Sequence, residues 1–561
     1  MFSAKKRDKC IGEMSEKQLD LLVIGGGITG AGIALDAQVR GIQTGLVEMN
    51  DFASGTSSRS TKLVHGGLRY LKQFEIKLVA EVGKERAIVY ENAPHVTTPE
   101  WMLLPIFKDG TFGKFSTSLG LKVYDYLADV RKDERRYMLN EKQTLEKEPL
   151  LRKENLKGGG IYVEYRTDDA RLTLEIMKEA VARGAVALNY MKVESFIYDQ
   201  GKVVGVVAKD RLTDTTHTIY AKKVVNAAGP WVDTLREKDR SKHGKYLKLS
   251  KGVHLVVDQS RFPLRQAVYF DTESDGRMIF AIPREGKTYI GTTDTFYDKD
   301  IASPRMTVED RDYILAAANY MFPSLRLTAD DVESSWAGLR PLIHEEGKKA
   351  SEISRKDEIF FSDSGLISIA GGKLTGYRKM AERTVDAVAQ GLNVNEPCTT
   401  AAIRLSGGLA EGAQGFPRFL DEASRKGAKL GFDADEVRRL AKLYGSNVDH
   451  VLNYAYEGKE EAEHYGLPAL LLGQLQYGVE QEMVATPLDF FVRRTGALFF
   501  NISLVHQWKE AVLRWMAEEF SWTEEEKTRF QNELETELKM AVDPLFQVEP
   551  TTVLEHHHHH H

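Results

Sequence analysis

Two cysteines, Cys10 and Cys398, are all that the 561 residues contain. A single pair so far apart in sequence supports neither a disulfide framework nor a C-x-x-C redox or metal site, and a reducing cytoplasm is the expected setting. Long apolar runs are missing too. No stretch reaches the ~18 uninterrupted apolar residues of a spanning helix, and the charged start, Met1 to Cys10, has no apolar segment behind it, so neither a spanning helix nor a secretory signal is expected. Strong net charge is also absent: a formal charge of −6 with mixed acids and bases creates no global field to gather nucleic acid. Any anion binding must therefore come from local clusters. There is no second G-x-G-x-x-G, no ligand set for haem or iron–sulfur, no internal repeat and no low-complexity region. Leu554 and Glu555 followed by His556 to His561 read as an affinity tag and carry no metal argument.

What is present is length and a legible start. A chain of this size exceeds one comfortable core, since single cores stop growing near ~250–300 residues, so two or three domains are expected. The apolar run Leu21 to Ile24, then glycines, an Ala-rich stretch Ala31 to Arg40 and Thr44 to Glu48 predict a βαβ unit. Strands are predicted at Val203 to Ala208, at Lys222 to Ala228 and at Leu366 to Ala370. Between them Asp168 or Asp169 can cap a helix over 170–183 that Gly184 closes, and a further helix runs from about Thr375 to Gln390. Short alternating strands such as Gly252 to Val257 and Met278 to Ile282 suggest a second sheet. After Pro397 amphipathic helices take over: Val437, Leu440, Ala441 and Tyr444 repeat at helical spacing, as do Leu488, Phe491 and Val492.

Gly25-x-Gly27-x-x-Gly30 follows a strand and opens a helix, the context in which the pattern signals a dinucleotide. The first glycine makes the turn, the second lets amides approach a pyrophosphate, and the third packs helix on sheet. Glu48, at the end of the next strand, is placed to accept from ribose hydroxyls. Two distant glycine-bearing strand ends, Ala227-Ala228-Gly229 and Ala370-Gly371-Gly372, favour the longer FAD over NAD. The hydroxyl-rich run Thr56 to Tyr70 can wrap phosphates and a flavin through short donors.

These pieces, with Lys251-Gly252-Val253-His254, Gly291 to Asp294, Gly338-Leu339-Arg340-Pro341 and Gly371 to Thr375, together resemble the aerobic FAD-dependent glycerol-3-phosphate dehydrogenases. The segments Val479 to Glu482 and Thr486, Leu488, Asp489, Arg493 to Thr495 resemble that family's C-terminal helical domain. The resemblance implies an α/β fold: a Rossmann-like, glutathione-reductase-type FAD domain of the D-amino-acid-oxidase kind, an inserted mixed α+β substrate domain and an all-helical C-terminal domain. Divided along the chain, the expectation is 16–75, 154–249 and 342–396 for FAD, 76–153 and 250–341 for substrate, 397–548 for the helices and 554–561 for the tag.

It further implies oxidation of glycerol 3-phosphate to dihydroxyacetone phosphate, with electrons passed to membrane quinone. The implied substrate set is Arg69, Tyr70, Arg340, Arg355 and Lys373, with His254 beside the reacting carbon. Cofactor contacts are expected from Gly25, Gly27, Ile28, Gly30 and Glu48; from Thr56, Ser57, Ser58, Thr61, Leu63, His65, Gly66 and Gly67; from Ala228 and Gly229; and from Gly372, Lys373, Leu374 and Thr375.

The physical logic agrees. A phosphate dianion needs several fixed cations, and arginine's planar fork can donate two bonds to it where lysine offers a point charge. A neutral histidine is the natural acceptor for a hydroxyl proton, which nominates His254, while Arg340 could stabilise a developing alkoxide. The helix after Gly371 to Thr375 would favour negative charge on a reduced flavin.

Quinone as acceptor requires touching the inner face of the cell membrane from the cytoplasm. Lys5, Lys6, Arg7 and Lys9 form one basic cluster. Phe112, Phe115, Leu119, Leu121, Tyr124 and Leu127, followed by Arg131, Lys132, Arg135 and Arg136, form an apolar-then-basic stretch suited to peripheral contact. Three alternatives stay open: an oxidase using oxygen, an amine or amino-acid oxidase of the same fold, and a non-catalytic flavin-binding interaction module. A homodimer is an option the residues leave undecided.

Overall fold

A computed structural model describes residues 2–64, 76–113, 117–118, 120–122, 125, 135–349, 353–354, 356–374 and 376–548. Strands are numbered β1 to β18 along the chain. β1 (Leu19–Ile24) is the unbroken apolar run, and such a run must be covered on both faces. Leu21, Leu22 and Val23 are fully buried. β2 (Thr44–Val47) and β10 (Thr216–Asn226) flank β1 in parallel, β18 (Ile367–Ala370) lies parallel on β10, and β7 (Val186–Leu188) lies parallel on β2. β17 (Glu358–Phe361) closes one edge, and β8 (Met191–Asp199) with β9 (Lys202–Asp210) extends the sheet through β10, making eight strands. The carboxyl ends of β1, β2, β10 and β18 therefore reach the same edge, where ligands bind in open parallel sheets.

Helices cover this sheet. α1 (Arg7–Glu16) packs on β7 and β10, and α2 (Ile28–Val39) lies between α4 (Asp169–Ala182) and α5 (Tyr377–Leu392), while α3 (Ile76–Asn92) packs on β4 of the second sheet. Of the two candidate caps, Asp168 takes the role by accepting from the Arg171 amide at 3.1 Å. Asp169 is thereby left to accept from Ser60 Oγ and Lys62 Nζ, both at 2.7 Å, which ties the hydroxyl-rich segment down.

The second sheet has ten strands: β3 (Leu63–Val64), β4 (Thr97–Phe107), β5 (Tyr137–Asn140), β6 (Leu156–Thr167), β11 (Lys245–Asp258), β12 (Ala267–Asp271), β13 (Met278–Arg284), β14 (Lys287–Gly291), β15 (Thr295–Tyr297) and β16 (Val332–Glu345). β11 and β16 run antiparallel throughout, with Ser250 opposite Arg340 and His254 opposite Trp336. Val253, Leu255 and Val257 carry one face of β11 into a core with Phe262, Ile290 and Phe322. The expected division differs here. Residues 156–167, assigned to the FAD part, pair along β4 in the second sheet, as Leu63 and Val64 do through β6, and β16 runs past residue 341 to Glu345. Such pairings join segments far apart in sequence, where local pattern carries no register.

The tail is helical: α6 (Phe416–Lys429), α7 (Ala434–Tyr444), α8 (Val448–Glu457), α9 (Ala469–Gln481), α10 (Ile502–Glu519) and α11 (Glu524–Val542). The stripe Val437, Leu440, Ala441 and Tyr444 is buried against Phe416 and Leu420. Asp489–Arg494 forms a π-helical turn, with the Thr495 amide donating to the Phe490 carbonyl at 3.1 Å. That turn presents Arg493 and Arg494 together to the buried Asp51 at 2.7 and 2.8 Å. Nearby, Glu482 accepts from both ends of the Arg171 fork at 2.9 and 2.7 Å and from Lys178 at 2.9 Å. The helices are thus locked to the FAD-side layer by buried, hydrogen-bonded ion pairs.

One expected membrane element is corrected. Lys5 pairs with Glu480 and Glu519 of the tail, while buried Arg7 donates to the Asn189 carbonyl at 2.8 Å and pairs with Asp210 at 3.1 Å. Of the four N-terminal cations Arg7 is internal and Lys5 is paired at the surface, because a sequence shows adjacent cations but not the distant acids that meet them. In the apolar-then-basic stretch, Phe115, Leu119, Tyr124, Leu127, Arg131 and Lys132 lie outside the described residues; Leu121 is buried. Among the described residues no helix is long and apolar enough to cross a membrane.

Candidate active site

A channel opens along the shared edge of β1, β2, β10 and β18. Its floor demands glycine at two positions. A Cβ on Gly25, whose φ is 120°, would lie 2.1 Å from the Ala227 carbonyl oxygen, and one on Gly30 would lie 1.9 Å from that of Gly25. Strand, turn and helix touch backbone to backbone at this point. At the start of α2 the Ile28 amide donates to Ser57 Oγ at 2.9 Å, and a Cβ on Gly27 would sit 3.0 Å from the same oxygen. The positive end of α2 faces the channel, a natural place for a pyrophosphate.

Glu48 ends β2 and lines the channel. Its carboxylate accepts from the amides of Gly26 at 2.8 Å and Asn50 at 2.7 Å, which fixes its direction. Burial raises its pKa, and those two amides oppose the rise. Across from it, Met191, Lys192 and Val193 of β8 form the other wall. Lys192 is 4% exposed and its Nζ, buried, has no hydrogen-bond partner among the described residues. Burial pushes the ammonium down to about 8, and the cationic Lys238, Arg211 and Lys209 add to the fall while Glu194 opposes it. A buried, unpartnered donor on a channel wall is what a polar ligand would satisfy. Sequence reasoning passed over Lys192 and also Trp231, which lines the channel beside Ala228 and Gly229. A lysine within a strand ordinarily reads as solvated, so nothing local singled it out.

At the far end the walls are Pro341, Gly371, Gly372 and Leu374. Gly372, with φ 104°, brings the end of β18 so close to α2 that a Cβ would stand 2.7 Å from Thr29 Oγ1, and its amide donates to Asp357 at 2.8 Å. Thr56 Oγ1 donates to the Leu339 carbonyl at 2.6 Å, joining the hydroxyl-rich segment to β16. Arg340 stands between Leu339 and Pro341. Its Nη2 donates to the Thr293 carbonyl at 2.8 Å, with Asp294 at 3.9 Å, and its side chain is 36% exposed. The guanidinium lies across Gly252, where a Cβ would approach Nη2 to 2.6 Å. Arg340 is thus pinned beside the channel yet reachable.

The fit to a flavin dinucleotide rests on this backbone cradle, the amides at the start of α2 and the unpartnered Lys192 ammonium. Residues 20–378 match the family described as FAD dependent oxidoreductase, and residues 398–527 match the C-terminal domain of alpha-glycerophosphate oxidase. The chain belongs to the FAD-dependent oxidoreductases. It is 60% identical over 551 residues to the aerobic glycerol-3-phosphate dehydrogenase of Bacillus subtilis, covering 97% of this chain and 99% of that protein. The Staphylococcus aureus protein of the same name is 57% identical over 96% of the chain and 98% of its own length. The crystal structure of the glycerol-3-phosphate dehydrogenase from Bacillus halodurans complexed with FAD superposes with a TM-score of 0.87 at 90% identity, covering 98% of this chain and 100% of that one. L-alpha-glycerophosphate oxidase from Mycoplasma pneumoniae, 18% identical with a TM-score of 0.54 over 68% of this chain and 97% of its own, shares the fold.

Within this flavoenzyme the expected residues separate into groups. Gly25, Gly27, Ile28, Glu48, Thr56, Ser57, Ala228, Gly229, Gly372 and Leu374 line the channel, and Gly30 shapes it. Lys373 sits between the lining residues Gly372 and Leu374, on the turn that leads into α5. Ser58 is buried, and Leu63 pairs with Arg166 in the second sheet, so both support the cradle from behind. His65, Gly66, Gly67, Arg69, Tyr70, Arg355 and Thr375 lie outside the described residues.

His254 is enclosed by its neighbours. It is 2% exposed, its ring stacks on Trp336 at 5.0 Å, and its Nε2 meets Thr61 Oγ1 at 3.0 Å. It stands two residues along β11 from Gly252, over which the Arg340 guanidinium lies. Among the described residues its ring is thus held between Trp336 and Thr61. Sequence alternation placed His254 on the correct strand but could not tell that Trp336 would cover it.

Proposed function

We propose that this flavoenzyme oxidises sn-glycerol 3-phosphate to dihydroxyacetone phosphate and passes the electrons to a membrane quinone, working as a peripheral protein at the cytoplasmic face. The observation that carries the reading is Arg340, a partly exposed guanidinium pinned by the Thr293 carbonyl and next in sequence to Pro341 of the channel lining. Bound FAD supplies the hydride acceptor, and the protein supplies orientation and charge.

Arg340 of β16 and Lys373 of the turn after β18 adjoin residues that line the same end of the channel. A planar fork and a point charge so placed can hold a phosphate dianion and keep the secondary carbon oriented. Arg69, Tyr70 and Arg355 complete this set by resemblance to the family. His254 acts through Thr61, holding the segment that bridges to β16 by way of Thr56. The names of the Bacillus subtilis and Staphylococcus aureus relatives support glycerol 3-phosphate as substrate.

The test is anaerobic addition of sn-glycerol 3-phosphate to the FAD-loaded protein while the yellow flavin absorption is followed. Rapid bleaching is expected, with re-oxidation by a soluble quinone analogue faster than by air. A flavin that stays yellow rejects the substrate, and stoichiometric peroxide in air with no response to quinone rejects the acceptor.

A further inference from the structure

Beyond the wall formed by Ser54, Gly55, Thr56, Pro230 and Trp231 lies a second cleft of about 640 Å³; these five residues line both spaces. It is bounded on the other side by α11 and the π-helical turn of the tail. Three guanidiniums come to it from separate parts of the chain. Arg59 follows the Thr56–Ser58 turn, Arg211 follows β9, and Arg529 projects from α11 over the ring of Phe530 at 4.7 Å. Arg59 donates one long bond, 3.4 Å, to the Ala337 carbonyl. Arg211 donates to the Met49 carbonyl at 2.9 Å and to Asn50 Oδ1, while its Nε is buried with no partner. None of the three forms an ion pair among the described residues.

The acids of the cleft are largely committed elsewhere. Asp51 is held by Arg493 and Arg494, Asp214 by Lys209 at 2.8 Å, and Glu526 turns back to the amide of Thr523 at 3.1 Å. Burial, with Asp489 nearby, pushes Glu533 up to about 8, towards the neutral form. Glu526 and Glu537 are the carboxylates of the lining with no ion pair among the described residues, against three such guanidiniums. Burial also pulls Arg211 down to about 10, and lowers Arg59, outweighing the nearby acids Glu533 and Glu48 for the first and Glu537 for the second. Such a fork-lined cavity matches the oxygens of a phosphate group.

We propose that this cleft is a second binding site for a small phosphate-bearing anion, held by Arg59, Arg211 and Arg529 one wall away from the cofactor. The site is separate from the clamp at Arg340 and goes beyond the oxidation assigned above. Its occupant is either a soluble phosphate ester or the headgroup of an anionic phospholipid.

The experiment uses FAD-loaded protein carrying Arg340→Ala, so that the substrate site is disabled, and titrates it with inorganic pyrophosphate by calorimetry at low salt. One saturable site per chain is expected, weakened at least tenfold by Arg529→Gln and further by Arg211→Gln. Arg529→Gln in the otherwise native protein is expected to leave anaerobic bleaching unchanged. Absence of a saturable site, or binding indifferent to Arg529→Gln, overturns the proposal. Should Arg211→Gln fail to fold, Arg529→Gln on the outer helix decides alone. Competition by phosphatidylglycerol vesicles assigns the phosphate to a lipid headgroup, and its absence assigns it to a soluble ester.

Discussion

At one end of the channel, Gly25, Gly30, Glu48 and Ser57 come from a single stretch, in which Gly25 and Gly30 meet through backbone and Glu48 and Ser57 accept from backbone amides. At the other end, Arg340, Pro341, Gly372 and Lys373 arrive from strands of two different sheets. The first end tolerates no side chain where β1 meets α2, since Gly25 and Gly30 are filled by carbonyl oxygens. The second end is held by side-chain hydrogen bonds, such as Arg340 to Thr293 and Thr56 to Leu339. Rigid backbone contact makes a cradle for a group that stays bound, whereas pinned but reachable side chains suit a substrate that comes and goes.

The largest break should come at the cradle. Gly30→Val would press a side chain into the Gly25 carbonyl, and the purified protein is expected to lack flavin, read as absorption near the flavin band relative to protein. A native flavin content would overturn the claim that backbone contact builds this end.

The next effect lies behind the cradle, where Asp51 anchors the tail. Against the cost of its burial, Arg494 and Arg493 hold Asp51 at about 2. Its unfolded value is near ~3.9, so this stabilisation is complete above that pH and is lost as pH falls through about 2. Asp51→Asn leaves two buried cations under-compensated and should cost about 3–5 kcal/mol in denaturant unfolding at pH 7. The variant should also lack this part of the stability loss between pH 4 and 2. An unchanged acid profile would show that the tail is held by other contacts.

At the reactive end, Arg340→Ala should keep its FAD but lose about 2–5 kcal/mol of substrate interaction, roughly 30- to 5,000-fold in the second-order rate of anaerobic bleaching. Loss of flavin together with rate would mean the two ends are not separable. Smallest of all, His254→Asn should lower that rate by less than about tenfold, or 1.4 kcal/mol, without shifting its pH profile, because the ring is buried against Trp336 and bonded to Thr61. A large loss with a displaced pH profile would restore His254 as the proton acceptor.

The difference between the ends also explains what could be read beforehand. β1, α2 and β2 are neighbours in sequence, so apolar run, glycine spacing and Glu48 were visible as one pattern. Arg340 and Lys373 were legible only through likeness to a family. The pairing of β6 with β4 and the cover of Trp336 on His254 left no local trace. Lys192 was invisible for the same reason: its burial is imposed by the channel, not by its neighbours in β8.

By itself the order of residues determined the nucleotide cradle, the helical tail and the class of chemistry, because turns, caps and apolar periodicity are short-range properties. Tertiary structure decided which charges are committed to the interior. It paired Arg7, Arg171 and Arg493 with acids hundreds of positions away or across a layer, and left Arg59, Arg211 and Arg529 facing a cleft. Whether a buried cation is structural or available depends on distances of a few ångströms between segments, and those exist only once the layers have packed.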